Sequence, residues 1–220
     1  MVFPRFCVIC QKPLMHEEHP WCLSCYLQLA KKTFINWEKN SLTYLFWGRI
    51  PITYAASFYI YKKNSIVQKC MYDFKYFSKL SIGKSLSQAA ALFYREKIKP
   101  LSIDMIVPVP LTHKKQNKRG FNQSEIIANV LSEYWGIPVV KDLLQKTKLR
   151  PSQTGLGKWD RWENCKNSFV LINGHNFENK HILLVDDVIT SGATIESLAL
   201  PLTKVPSLKL SVFSLAFSSE

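Results

Sequence analysis

No stretch of the chain reaches the roughly 18–20 consecutive apolar residues that a membrane-spanning helix requires. The longest near-candidate, IPITYAASFYIY at residues 50–61, falls short and has the composition of a strand. The beginning, MVFPRFCVICQ, lacks the charged start and uninterrupted apolar region of a secretory signal. No repeat period and no low-complexity tract stands out. Acidic residues are scarce, with 16 Asp and Glu against 29 Lys and Arg. These absences predict a cytoplasmic protein with no membrane span. Peripheral attachment at the inner membrane face through a partner stays open. What is present suffices for a packed core: 47% of the 220 residues are hydrophobic and 13% aromatic. That length holds one domain of ordinary size plus a small appendage, or one larger domain.

The formal net charge of +13 is unevenly spread. Residues 1–50 carry six Lys/Arg against three Asp/Glu, residues 62–166 carry twenty against eight, and residues from 171 onward carry three against five. A surface serving solubility alone mixes both signs along its length. A basic block in mid-chain favours an anionic partner: nucleic acid, a phosphorylated small molecule or an acidic membrane surface. The block is interleaved with aromatics in YIYKK, MYDFKYFSK, FYREK and KWDRW, the pairing of cations and stacking rings that single-strand binders use. Core packing is the competing reading for these rings. Tyr76, Trp159 and Trp162 are the ones expected at the surface.

CVIC (Cys7, Cys10) is followed after eleven residues by CLSC (Cys22, Cys25). Each pair reaches one metal from both arms of a tight turn, and two pairs complete a tetrahedral thiolate shell. Four protein ligands leave no open position, so a zinc ion here is structural. Pairwise disulfides are the alternative, which a reducing compartment disfavours. His16 and His19 lie between the pairs and offer a substitute for one Cys. Cys70 and Cys165 read as packing residues.

Residues 26–47 lack Gly and Pro and have apolar positions at mixed helical spacing, which predicts a linker helix ending before Gly48. Further on, a strand is expected over 52–61, helices over 65–77 and 84–98, and a strand over 102–110. In residues 121–136, Asn122 with Glu125 three places on has the form of a capping box, and Gly136 closes the helix. HILLVDDV reads as a buried strand, TIESLAL as a short helix cut by Pro201, and 208–217 as a final strand. Alternating strands and helices predict an α/β domain with a mostly parallel sheet. The organisation is then a four-cysteine module over 1–28, a linker helix over 29–50 and the α/β domain over 51–220.

The stretch LLVDDVITSGAT concentrates the chemistry. A buried strand, Ile182 to Val185, delivers its C-terminal end at the sheet edge where ligands of such folds bind. The loop Thr190, Ser191, Gly192, Ala193, Thr194 then opens a helix, whose N–H groups and hydroxyls form a cradle for one phosphate. Asp186 and Asp187 repel phosphate but accept hydrogen bonds, and the donors one sugar-width from a 5′-phosphate are the ribose hydroxyls. A ribose 5-phosphate unit satisfies both halves, and magnesium adds to the carboxylate side.

This pattern resembles the phosphoribosyl diphosphate (PRPP) motif of type I phosphoribosyltransferases. Residues 106–125 carry PVPL…RGFNQSE, and residues 147–169 carry R-x-x-Q-x-x-L-x-x-x-x-R-x-x-N through Arg150, Gln153, Leu156, Arg161 and Asn164. With the four cysteines, these blocks resemble the ComF family, phosphoribosyltransferase-like proteins of DNA uptake in competent bacteria. The resemblance implies a sheet of the type I phosphoribosyltransferase kind, single-stranded DNA as ligand and a ComFA-type competence helicase as partner. The family's Arg-rich stretch before RGFNQ is represented here by His113, Lys114, Lys115 and Lys118, point charges rather than bidentate forks. Nucleic-acid contacts are expected from Lys114, Lys115, Lys118, Arg119, Arg150, Lys158 and Arg161. The alternative is an active magnesium-dependent phosphoribosyltransferase in which Asp186 and Asp187 are catalytic, with no acceptor base named by the sequence. An oligomer is compatible with either.

Overall fold

The computed structural model describes residues 5–14, 20–31, 34, 36–111, 113–146, 169–172 and 177–218. Along the chain run α1 (Leu23–Gln28), α2 (Ser41–Tyr44), β1 (Tyr54–Ile60), α3 (Ile66–Tyr76), α4 (Leu80–Ile98), β2 (Met105–Pro108), α5 (His113–Arg119), α6 (Gln123–Trp135), β3 (Leu144–Lys146), β4 (Phe169–Leu171), β5 (His181–Ile189), α7 (Ala193–Leu202) and β6 (Lys209–Phe217). β1, β6, β5 and β2 form a parallel sheet in that order, while β3 and β4 make a small antiparallel pair. The mostly parallel α/β architecture is therefore present.

Sequence and position agree in β5. Its apolar run Ile182–Val185 is fully buried, as expected of an inner strand in a covered parallel sheet. β2 stops pairing at Pro108 opposite Val185. Pro110 has no N–H to continue the ladder. From Asp186 onward β5 therefore keeps β6 on one side and lacks β2 on the other. This open strand end is the place where such sheets receive ligands.

α4 and α6 pack together beside the sheet. Trp135 Nε1 donates to the Ala91 carbonyl at 2.9 Å, and Tyr94 Oη donates to the Ser57 carbonyl at 2.9 Å. α3 meets α4 at Gly83, where a Cβ would lie 2.4 Å from the Phe74 ring. Ser65 caps α3 by accepting from Gln68 N, and Cys70 is buried on that helix as expected.

The linker helix is a correction. α1 belongs to the cysteine module, α2 has only four residues, and the described residues between them are not helical. Local hydrogen bonding diverts the chain: Asn36 Oδ1 accepts from Glu38 N and Lys39 N, and Asn40 Oδ1 accepts from Leu42 N and Thr43 N. Such side chains compete with helix for the backbone. The segment instead lies along β1, where Ile60 N donates to the Ala30 carbonyl at 2.9 Å and Ala55 N to the Trp37 carbonyl at 2.8 Å.

Smaller differences have local causes. α4 begins at Leu80 rather than at 84, and α7 runs past Pro201 to Leu202. Asn122 does cap α6, accepting from Ser124 N, but Glu125 pairs with Lys141 instead of closing a capping box. Among the described residues no helix is long and apolar enough to cross a membrane.

Candidate functional site

The loop after β5 turns on Gly192, whose φ of +74° lies in the region that favours glycine. A Cβ there would stand 2.8 Å from Phe46 Cε1, so the loop also rests directly on the segment after α2. Arg49 fastens this contact. Its Nη1 donates to the carbonyls of Ser191 at 3.0 Å and Leu45 at 3.1 Å, while its Nε donates to Glu196 Oε2 at 3.0 Å. Arg49 thus steadies the loop from behind. Asp186 and residues 188–195 line a pocket of about 40 Å³ at the N-terminus of α7, room for one small polar group. Backbone donors and helix dipole both favour an anion there.

Asp186 and Asp187 do not form a symmetrical pair. Asp186 Oδ1 accepts from Ser124 Oγ at 3.0 Å and from Asp187 N at 2.8 Å. Asp187 Oδ2 lies 2.9 Å from Lys75 Nζ, an ion pair whose side chains are 10% and 22% exposed. Each carboxylate commits one oxygen to the protein and keeps another as acceptor. Burial, and after it the charge of Asp187, pushes the Asp186 carboxyl up to about 7, against the hydrogen bonds from Asp187 N and Ser124. The site therefore holds one acid that titrates near neutrality beside one with a lysine counter-ion. Ser124 and Lys75 went unnoticed in the sequence. Ser124 sits inside the RGFNQSE block, but nothing local to MYDFKYF signals that its lysine reaches β5.

The four cysteines converge. Their sulfur atoms all lie within 4.8 Å of one another, and Cys10 Sγ stands 3.7 Å from Cys22 Sγ. All four are free thiols, and 3.7 Å is far too long for a disulfide. A tetrahedron with metal–sulfur bonds of about 2.3 Å has edges of about 3.8 Å, so the cluster can hold one metal ion. Burial opposes ionisation of Cys7, but donors including Cys10 N outweigh it and bring that thiol down to about 6; burial and the three neighbouring cysteines push Cys25 up. His16 and His19 lie outside the described residues.

Four of the expected nucleic-acid contacts lie among the described residues. Lys114, Lys115, Lys118 and Arg119 fall on α5, where Lys115 is exposed. Arg119 is already engaged: its Nη1 donates to Gln123 Oε1 at 3.0 Å, and its guanidinium carbon lies 5.1 Å from the centre of the Tyr76 ring. Tyr76 is 50% exposed, as anticipated. Arg150, Gln153, Leu156, Lys158, Trp159, Arg161, Trp162, Asn164 and Cys165 lie outside the described residues.

No family model matches the chain. It is 29% identical over 216 residues to competence protein F of Haemophilus influenzae, covering 96% of this chain and 89% of that one. Over 96 residues it is 33% identical to DNA utilization protein YhgH of Escherichia coli K12, a match spanning 44% of this chain and 41% of that protein. A purine phosphoribosyltransferase from Pyrococcus horikoshii superposes with a TM-score of 0.40 at 19% identity, covering 60% of this chain and 73% of that one. With four thiols gathered ahead of a parallel α/β sheet, and similarity to competence protein F along nearly its whole length, the chain is similar to ComF-type proteins.

Proposed function

We propose that the protein is an accessory factor in DNA uptake. It handles single-stranded DNA on the cytoplasmic side of the membrane beside a ComFA-type helicase, and it keeps a PRPP-type pocket for ribose 5-phosphate. The names of its relatives, competence protein F and DNA utilization protein, support the role. One observation carries the pocket: the open end of β5 brings Asp186 and Asp187 beside the Thr190–Thr194 loop, under the left-handed Gly192. The loop takes the phosphate, and the free carboxylate oxygens take the ribose hydroxyls. Zinc, held by Cys7, Cys10, Cys22 and Cys25, is structural, because four thiolates close its shell.

Magnesium fits the carboxylate side chemically, since it prefers oxygen ligands and keeps several waters. It would neutralise the diphosphate of PRPP. Lys75 already balances Asp187, so the cation shares or displaces that contact.

Calorimetry with PRPP and magnesium tests the pocket. The wild type is expected to bind, and the Asp186→Ala, Asp187→Ala double variant to lose binding while retaining single-stranded DNA. A folded, zinc-loaded wild type that ignores PRPP would overturn the pocket. An active phosphoribosyltransferase is the second reading, favoured by Asp186, whose carboxyl can exchange a proton near neutral pH. Pyrophosphate release from PRPP that depends on a supplied base would establish it.

A further inference from the structure

Two clefts flank α3 and the loop before it. The larger, about 970 Å³, lies between the four-cysteine module and α3; Cys10, Lys12, Lys69, Tyr72, Lys75 and Tyr76 are among its walls. The second, about 780 Å³, is bounded by Lys63 and opens on Thr190 and Ser191 of the phosphate loop. Tyr61 and Gln68 line both clefts, so together they form one trough from the loop to the cysteine module. Lys75 joins the trough to the carboxylates, lining the larger cleft while its Nζ sits 2.9 Å from Asp187 Oδ2.

The lining has a consistent chemistry. Among the described residues, four lysines contribute to the two clefts and no Asp or Glu does. Tyr72 and Tyr76, one turn apart on α3, have ring centres 4.8 Å apart and are 54% and 50% exposed. Exposed rings of this kind are the platforms on which single-strand binders stack bases. A single small ligand fills a pocket of about 300–1,000 Å³. Two adjoining clefts of this size, with cations along them, suit a polymer of phosphates and bases.

We infer that this trough is the track for single-stranded DNA, with phosphates along Lys12, Lys63 and Lys69 and bases stacked on Tyr72 and Tyr76. The inference rests on the proposed reading that the protein handles single-stranded DNA, and it moves the main contact from α5 to α3. Arg119 then acts through Tyr76, holding the ring by its hydroxyl at 3.4 Å.

Fluorescence anisotropy of a labelled oligothymidylate over a potassium chloride series, on the full zinc-loaded chain, tests the placement. Tyr72→Ala with Tyr76→Ala should weaken binding at least tenfold and leave the salt slope unchanged, given about 1–3 kcal/mol of stacking per base. Tyr72→Phe with Tyr76→Phe keeps the rings and should bind like the wild type. Lys12→Gln, Lys63→Gln and Lys69→Gln together should flatten the log–log slope by about 2, at about 0.7 per phosphate. Wild-type affinity and slope in both the alanine and glutamine variants would overturn the track while leaving DNA handling intact. A wild type that does not bind the oligonucleotide would overturn both.

Discussion

Asp186 and Lys75 set the electrostatics of the candidate pocket from opposite sides. Burial, and then the charge of Asp187, raises the Asp186 carboxyl to about 7, whereas an unfolded Asp titrates near 3.9. The folded chain thus binds the proton more tightly. Stability from this group is fully present below the unfolded pKa, and it declines as pH rises from about 4 to about 7. That direction is the reverse of a salt-bridged carboxylate. Ser124, Asp187 and Lys75 are the groups that face it. Thermal melts at pH 5 and pH 8 should show Asp186→Asn gaining on the wild type at the higher pH; parallel curves would place the proton elsewhere. Lys75→Met leaves Asp187 with a little-exposed charge and should cost about 2 kcal/mol, less than a fully buried pair because Lys75 keeps some solvent. Adding Asp187→Asn should recover most of that loss, and a double-mutant cycle by urea titration measures the coupling.

At the scale of elements, position depends on close contacts that the sequence conceals. Phe74 precedes Lys75 on α3, and its ring occupies the space that a side chain at Gly83 of α4 would need. Gly83→Ala gains helix propensity but forces the ring aside, so a net loss of about 1–3 kcal/mol is expected. A denaturation midpoint equal to or above that of the wild type would mean that Phe74 yields freely. The strand, loop and helix of β5 and α7 were legible because each signal is local: an apolar run, two acids, then small residues around a left-handed Gly192. The cysteine cluster was legible for the same reason, since four cysteines at fixed spacing imply one centre. The stretch 29–50 was not. Its apolar spacing suits a helix, but Asn36 and Asn40 capture backbone N–H groups, and β1 supplies partners that lie later in the chain. The pairing of Lys75 with Asp187 and of Ser124 with Asp186 joins residues far apart in sequence, and no window of residues displays it.

On the scale of the whole molecule, the four-cysteine module is integrated into the rest. Cys7, Ile9, Trp21 and Cys25 share one buried apolar cluster with the sheet and its helices. β1 stands at the end of the strand order, with β6 on one side only. Among the described residues, Ala30, Lys31 and Trp37 supply it with further backbone partners. A bare outer strand is a template for pairing with another copy. A chain shortened to begin at Pro51 is therefore expected to self-associate, with light scattering rising as concentration increases; a stable monomer would show that the first fifty residues are separable. The stretch that follows the thiols thus also acts as a guard rail, keeping neighbouring copies from zipping together along β1.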